Sequence, residues 1–204
     1  MSPQRESVSP ESRPARRPDA TKGVGDGLME VSPESRPAQR PDAIVGAGLA
    51  VVTRSAEETE ALALGLGPFI PRGAVLALYG DLASGKTCFV RGLAQYFAGG
   101  TPIHSPTFTL INEYGHDPKL YHLDLYRLSG PEQLADLGYE EVFDSEEICA
   151  VEWADRAAAL LPAARVCVHF SHAGGDVRRI QIEDGAQVLR PGWQQCRATA
   201  RDNL

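Results

Sequence analysis

A chain of 204 residues, 43% hydrophobic and 23% charged, is long enough for one packed domain with tails to spare. Its formal net charge of -7, carried without any basic block, argues against tight, direct binding of nucleic acid. No apolar run reaches the ~18 residues that span a bilayer, and the polar, proline-rich N-terminus is unlike a secretory signal.

The cysteines Cys88, Cys149, Cys167 and Cys196 form no C-x-x-C pair and lie mostly in apolar runs. Buried, reduced thiols in a cytoplasmic protein are therefore expected, in place of a zinc site or a disulfide framework.

Residues 1–45 are rich in Pro, Ser, Arg, Glu and Asp and contain a near-perfect duplication: Val8 to Ala20 recurs as Val31 to Ala43, with Gln39 in place of Arg16. A segment so short of apolar residues cannot offset its ordering entropy, so a disordered tail is expected. The repeat reads either as a recent duplication or as a docking tail. Residues 48–186 form the expected domain, and 187–204 read as a second tail.

Within the domain, Leu49 to Thr53 has the pattern of a short strand, and Ser55 followed by Glu57 and Glu58 signals a helix start. Ala61, Leu62, Leu64 and Leu66 continue that helix up to Gly67-Pro68. Val75 to Tyr79 is a buried-strand pattern, and Cys88 to Phe97 has helical spacing, closed by Gly99-Gly100.

Between these two elements lie Gly80, Asp81, Leu82, Ala83, Ser84, Gly85, Lys86 and Thr87, which fit G-x-x-x-x-G-K-[ST]. A tight loop from strand to helix offers consecutive backbone N–H groups to phosphate oxygens at a helix N-terminus. Lys86 is then expected to reach the terminal phosphates and Thr87 to face a magnesium ion. The alternative, a glycine turn that binds nothing, is disfavoured by the strand before the loop and the helix after it.

Ile103 to Tyr114 begins as a loop and becomes a strand. Its hydroxyls Ser105 and Thr107 either sense a γ-phosphate, as switch segments do, or cap a turn around Pro106. Lys119 to Leu128 reads as a strand with Asp124 embedded in it. An acid there is costly unless paired or bound to a cation, and a magnesium-linked role is favoured. His122 beside it reads as packing.

Glu132 to Leu137 reads as a short helix ending at Gly138, and Glu147 to Trp153 as a buried strand that delivers Glu152 to the metal or its attacking water. Trp153 either walls the site or sits in the core. Ala154 to Leu161 reads as helical. Arg165 to Phe170 and Val177 to Ile182 then alternate around Ala173 to Asp176 as a β-hairpin.

Among phosphate-loop classes, guanine recognition lacks its N-K-x-D motif. The echo of a transporter-ATPase signature at Leu128 to Gln133 lies too close to Gly80 for the helical subdomain of such enzymes. A small-metabolite kinase stays open, although no arginine-rich lid is visible, and so does a regulatory module that binds nucleotide with little turnover.

Over about residues 50–186 the chain resembles the bacterial TsaE (YjeE) ATPases. The co-linear motifs are Gly80-Asp81-Leu82 with Gly85-Lys86-Thr87, Ser105 to Leu110, His122 to Leu128, Leu137-Gly138 and Val151-Glu152-Trp153. The resemblance implies a single α/β P-loop domain with a central, mainly parallel sheet flanked by helices and a C-terminal hairpin. It also implies a Mg2+-dependent ATPase needed to make threonylcarbamoyladenosine in tRNA. The implied partners are TsaD and TsaB, with tRNA met only through their complex.

By matching motif, Lys86, Asp124 and Glu152 are implied to be catalytic, and Thr87, Asp124 and Glu152 to serve magnesium. The loop from Gly80 to Cys88, with Thr107 and Arg178, is implied to hold ATP. The family loop usually reads G-D-L-G-A-G-K-T-T, whereas Ala83, Ser84 and Cys88 stand here. Ala83 places a methyl group where the backbone is expected to need positive φ.

Overall fold

The computed structural model describes residues 48–99, 106, 110–128, 133 and 138–196. The duplicated segment, Ser105, Thr107 and nearly all of the helix expected over 132–137 lie outside these residues. The elements are β1 (Gly48–Thr53), α1 (Ala56–Leu66), β2 (Val75–Tyr79), α2 (Lys86–Ala98), β3 (Ile111–Tyr114) and β4 (Leu120–Asp124). They continue with α3 (Tyr139–Phe143), β5 (Ile148–Glu152), β6 (Val166–His172) and β7 (Arg178–Glu183).

Helix α1 starts where its capping residues say it should. Ser55 is extended and its hydroxyl accepts from the Glu58 amide at 3.1 Å, while the Glu58 carboxylate accepts from the Arg54 amide at 2.7 Å. This reciprocal arrangement satisfies N–H groups that the helix itself cannot. At the other end, Pro68 opens a 3-10 turn over Gly67–Phe69.

The described strands form one sheet in the order β1-β7-β6-β2-β5-β4-β3. The central pairs β6–β2, β2–β5 and β5–β4 are parallel, and the outer pairs are antiparallel. Parallel strands are covered on both faces, which is why β2 and β5 read as near-continuous apolar runs. Alternate residues enter two layers. Leu76, Leu78, Ile148 and Ala150 pack with Leu62 and Leu66 of α1 and Phe89 and Leu93 of α2. Val75, Ala77, Cys149 and Val151 pack on the opposite face with Phe143 of α3, Ala154, Ala157 and Leu161. From β2 the chain moves out to β4 and β5 on one side and to β6 and β7 on the other. That leaves a crevice at the carboxyl end of β2, the usual ligand position in such sheets.

Three boundaries differ from the sequence reading. The strand expected to run to Leu128 stops at Asp124: the Leu125 amide makes a last bond across to the Glu152 carbonyl, and Leu128 then closes a turn on Leu125. The helix expected over 154–161 is a 3-10 turn, Ala154–Ala157. The packed chain also extends past 186. Asp184 accepts from the Val188 and Leu189 amides at 2.7 and 3.0 Å, and Leu189, Trp193 and Cys196 enter the α1/α2 layer. Ending the chain after residue 186 is therefore expected to cost roughly 3 kcal/mol from loss of the buried Leu189 and Trp193, read as a lower urea midpoint.

All four cysteines are free thiols; Cys149 and Cys196 are buried, Cys88 and Cys167 partly so. Burial pushes the Cys149 thiol up to about 12, leaving it unreactive. Among the described residues no helix is long and apolar enough to cross a membrane.

Candidate active site

At the end of β2 the backbone turns sharply through residues 80–85 before α2 begins at Lys86. Gly80 has φ 143°, and a Cβ there would lie 2.6 Å from the Phe170 carbonyl oxygen. Gly85 has φ 108°, and its Cβ would lie 3.0 Å from Arg178 Cδ. Conformation thus demands glycine at both ends of the loop, and at Gly80 the backbone carbonyl leaves no room for a side chain either. Ala83 takes φ 60° without that freedom. Its methyl group is strained there, so Ala83→Gly is expected to stabilise the fold by about 0.5–1 kcal/mol after allowing for the looser unfolded chain. A urea midpoint checks this.

Lys86 is nearly buried, and its Nζ donates to the carbonyl oxygens of Gly80 and Asp81 at 2.7 and 2.9 Å. The same ammonium lies 4.0 Å from the centre of the Trp153 ring, a cation–π contact. Desolvation lowers the Lys86 pKa, and the carboxylates of Glu152, Asp124, Asp155 and Asp81 oppose that shift. Trp153 is half-buried and stands with Tyr126 at 4.9 Å, so it walls the site.

Residues 148 and 150 of β5 face the α1/α2 layer, so Glu152, two positions on, faces the start of α2. There the Thr87 hydroxyl donates to Glu152 Oε2 at 3.1 Å. The parallel register pairs Asp124 of β4 with Glu152, bringing a second acid to the same edge. Asp124 Oδ1 accepts from the Tyr126 amide at 3.0 Å.

Arg178, at the start of β7, reaches across to the loop beside Gly85, with its side chain 13% exposed. It bonds the Asp176 carbonyl through Nη1, while its Nε has no partner among the described residues. Ser84 is buried, and its hydroxyl likewise has no partner among the described residues. Leu82 is 66% exposed. The Cys88 thiol accepts from Arg91 at 3.1 Å and is thereby tied to its own helix.

His122 departs from the expectation of packing alone. It is fully buried, and its Nε2 lies 2.9 Å from Glu152 Oε1. The available sequence signal was its spacing two residues before Asp124 on one strand, which puts both on one face. The Trp153 contact with Lys86 had no such signal, since it depends on a left-handed backbone, φ 57°, at Trp153 itself.

The donor set fits magnesium: a threonine hydroxyl beside a carboxylate, with a second carboxylate adjacent in register, are hard oxygen ligands. Among the described residues no group of three or more His, Cys, Asp or Glu could cage a metal. An ion here would thus take its other ligands from water and phosphate, as magnesium commonly does.

The sheet, the loop and the lysine–threonine pair that follows are those of the P-loop nucleotide-binding fold. A crystal structure of YdiB from Bacillus subtilis superposes with a TM-score of 0.60 at 34% identity, covering 77% of this chain and 97% of that one. Residues 53–180 match the family model for the threonylcarbamoyl adenosine biosynthesis protein TsaE, and the chain belongs to that family. The tRNA threonylcarbamoyladenosine biosynthesis protein TsaE of Treponema pallidum is 41% identical over 131 residues, 64% of this chain and 97% of its own length. The Bacillus subtilis protein of the same name is 40% identical over 129 residues, 63% of this chain and 80% of its own.

Proposed function

We propose that this protein is the ATP-hydrolysing component of the cytoplasmic machinery that makes threonylcarbamoyladenosine in tRNA, acting on a complex of TsaD and TsaB homologues. The observation that carries the chemical part is the 3.1 Å bond from the Thr87 hydroxyl to Glu152, beside the loop that holds Lys86. Lys86 and the loop amides would hold the phosphate chain and balance charge on the transferred phosphoryl group. Thr87, Glu152 and Asp124 would hold magnesium, which supplies charge neutralisation at the phosphate oxygens when bound.

Glu152 has each oxygen held by a different partner and suits a fixed position. Asp124, beside Glu152 in register at the end of β4 and with Oδ1 on the Tyr126 amide, would orient the attacking water. Arg178 and Thr107 complete the proposed nucleotide contacts. Partner and tRNA roles rest on family membership.

Phosphate release from the purified protein, alone and with the TsaD and TsaB homologues, tests the reading. Release stimulated by the partners is expected. Phosphate appearing on an added metabolite would make the protein a kinase, and no release in either condition would leave a binding module.

A further inference from the structure

We infer that His122 is a positioning residue, whose Nε2–H fixes the Glu152 carboxylate in the orientation that presents its other oxygen to Thr87 and the metal side of the site. The inference rests on the hydrolytic reading proposed above and assigns a residue that reading does not require.

The geometry is a two-point hold on one carboxylate. Oε1 is 2.9 Å from His122 Nε2, and Oε2 accepts from Thr87 Oγ1 at 3.1 Å. A carboxylate accepts and cannot donate, so an ionised Glu152 sets His122 to carry its proton on Nε2. With 3% of its surface exposed, Glu152 has little water to turn to, and a buried carboxylate needs such bonds.

Removing the Thr87 contact, as entry of a cation between the two groups would, leaves His122 as the bond that keeps the carboxylate aimed. The backbone makes the hold rigid. His122 pairs with Ala150 in the parallel ladder and with Asn112 on the other side, so its strand is fixed from both edges. One strand, β4, therefore supplies an acid of the site at Asp124 and, two residues earlier on the same face, the clamp for the other acid.

Packing alone does not account for the ring. Its Nδ1 is buried and has no hydrogen-bond partner among the described residues, so its hydrogen bonding there is committed to Glu152. An apolar side chain would fill the space without leaving a buried nitrogen unsatisfied. Partners that orient a metal-binding group typically change metal affinity or activity by about 10–100-fold when removed.

The test compares His122→Gln with His122→Asn in the full chain. Both bury an amide of similar chemistry, but the glutamine nitrogen overlies the Nε2 position and the asparagine nitrogen overlies Nδ1. With partners present, His122→Asn is expected to lower kcat at least tenfold with KM within about threefold, and His122→Gln to recover most of the loss. Independently of turnover, a fluorescent ATP analogue titrated with Mg2+ should need about tenfold more magnesium for half-maximal binding with the asparagine variant only. Equal behaviour of the two variants in both measurements, whether both active or both impaired, would overturn the inference. A wild-type protein that binds nucleotide with magnesium but releases no phosphate would instead overturn the hydrolytic reading, while the magnesium titration still decides the role of His122.

Discussion

Lys86→Ala is expected to lower phosphate release roughly a thousandfold, the scale seen when a preorganised charge-stabilising group is removed from an active site. Its ammonium sits in the loop on two carbonyl oxygens, where burial strengthens every electrostatic contact it makes. The substitution removes charge from the position a terminal phosphate would occupy while adding a good helix former at the first residue of α2. Folding should therefore survive, and a thermal midpoint close to that of the unsubstituted protein separates loss of chemistry from loss of structure. Undiminished release would sink the assignment of the loop as the catalytic site.

Glu152→Ala should reduce turnover by a similar factor while retaining measurable nucleotide binding. The loop and Lys86 stay in place, but the Thr87 hydroxyl and the His122 ring both lose their acceptor. Leaving the buried His122 donor unsatisfied costs about 1–3 kcal/mol, so the alanine variant should also melt earlier. Glu152→Gln keeps an acceptor oxygen and most of that stability, yet lacks the negative charge for a cation. Phosphate release and urea midpoints on both variants therefore divide structural from chemical loss. Activity in both variants would exclude a metal-side role for Glu152.

The parts of this site that were legible in the sequence are those whose chemistry is local. Residues 80–87 form a contiguous motif, and their strand and helix context follows from apolar runs on each side. Glu152, at the end of an apolar run, and Asp124, embedded in another, stand out in the sequence because an acid in a buried strand is energetically conspicuous. The exact partners were not, since they depend on which strands are neighbours: β4 lies beside β5 and β5 beside β2, although other elements separate them in sequence.

His122 reads as packing in the sequence for that reason, its partner lying thirty positions away across a parallel pair. Arg178 required the hairpin to fold back beside the loop before its reach to Gly85 could be seen. The segment at 187–196 reads as a tail because single apolar residues such as Leu189 and Trp193, spaced by polar ones, carry no periodic signal even when each fills a core position.

The bond between Thr87 and Glu152 joins residues 65 positions apart, through strands that pair in parallel and are not consecutive. Such contacts close large loops, so they form late and slowly relative to local helices. A slip of one residue in the β4–β5 register would carry Asp124 or Glu152 to the opposite face of the sheet and dismantle the site outright. Occupancy by a nucleotide would therefore act as a proofreader of strand register: by mass action it would stabilise only chains whose long-range pairing is correct, and leave misregistered ones to unfold.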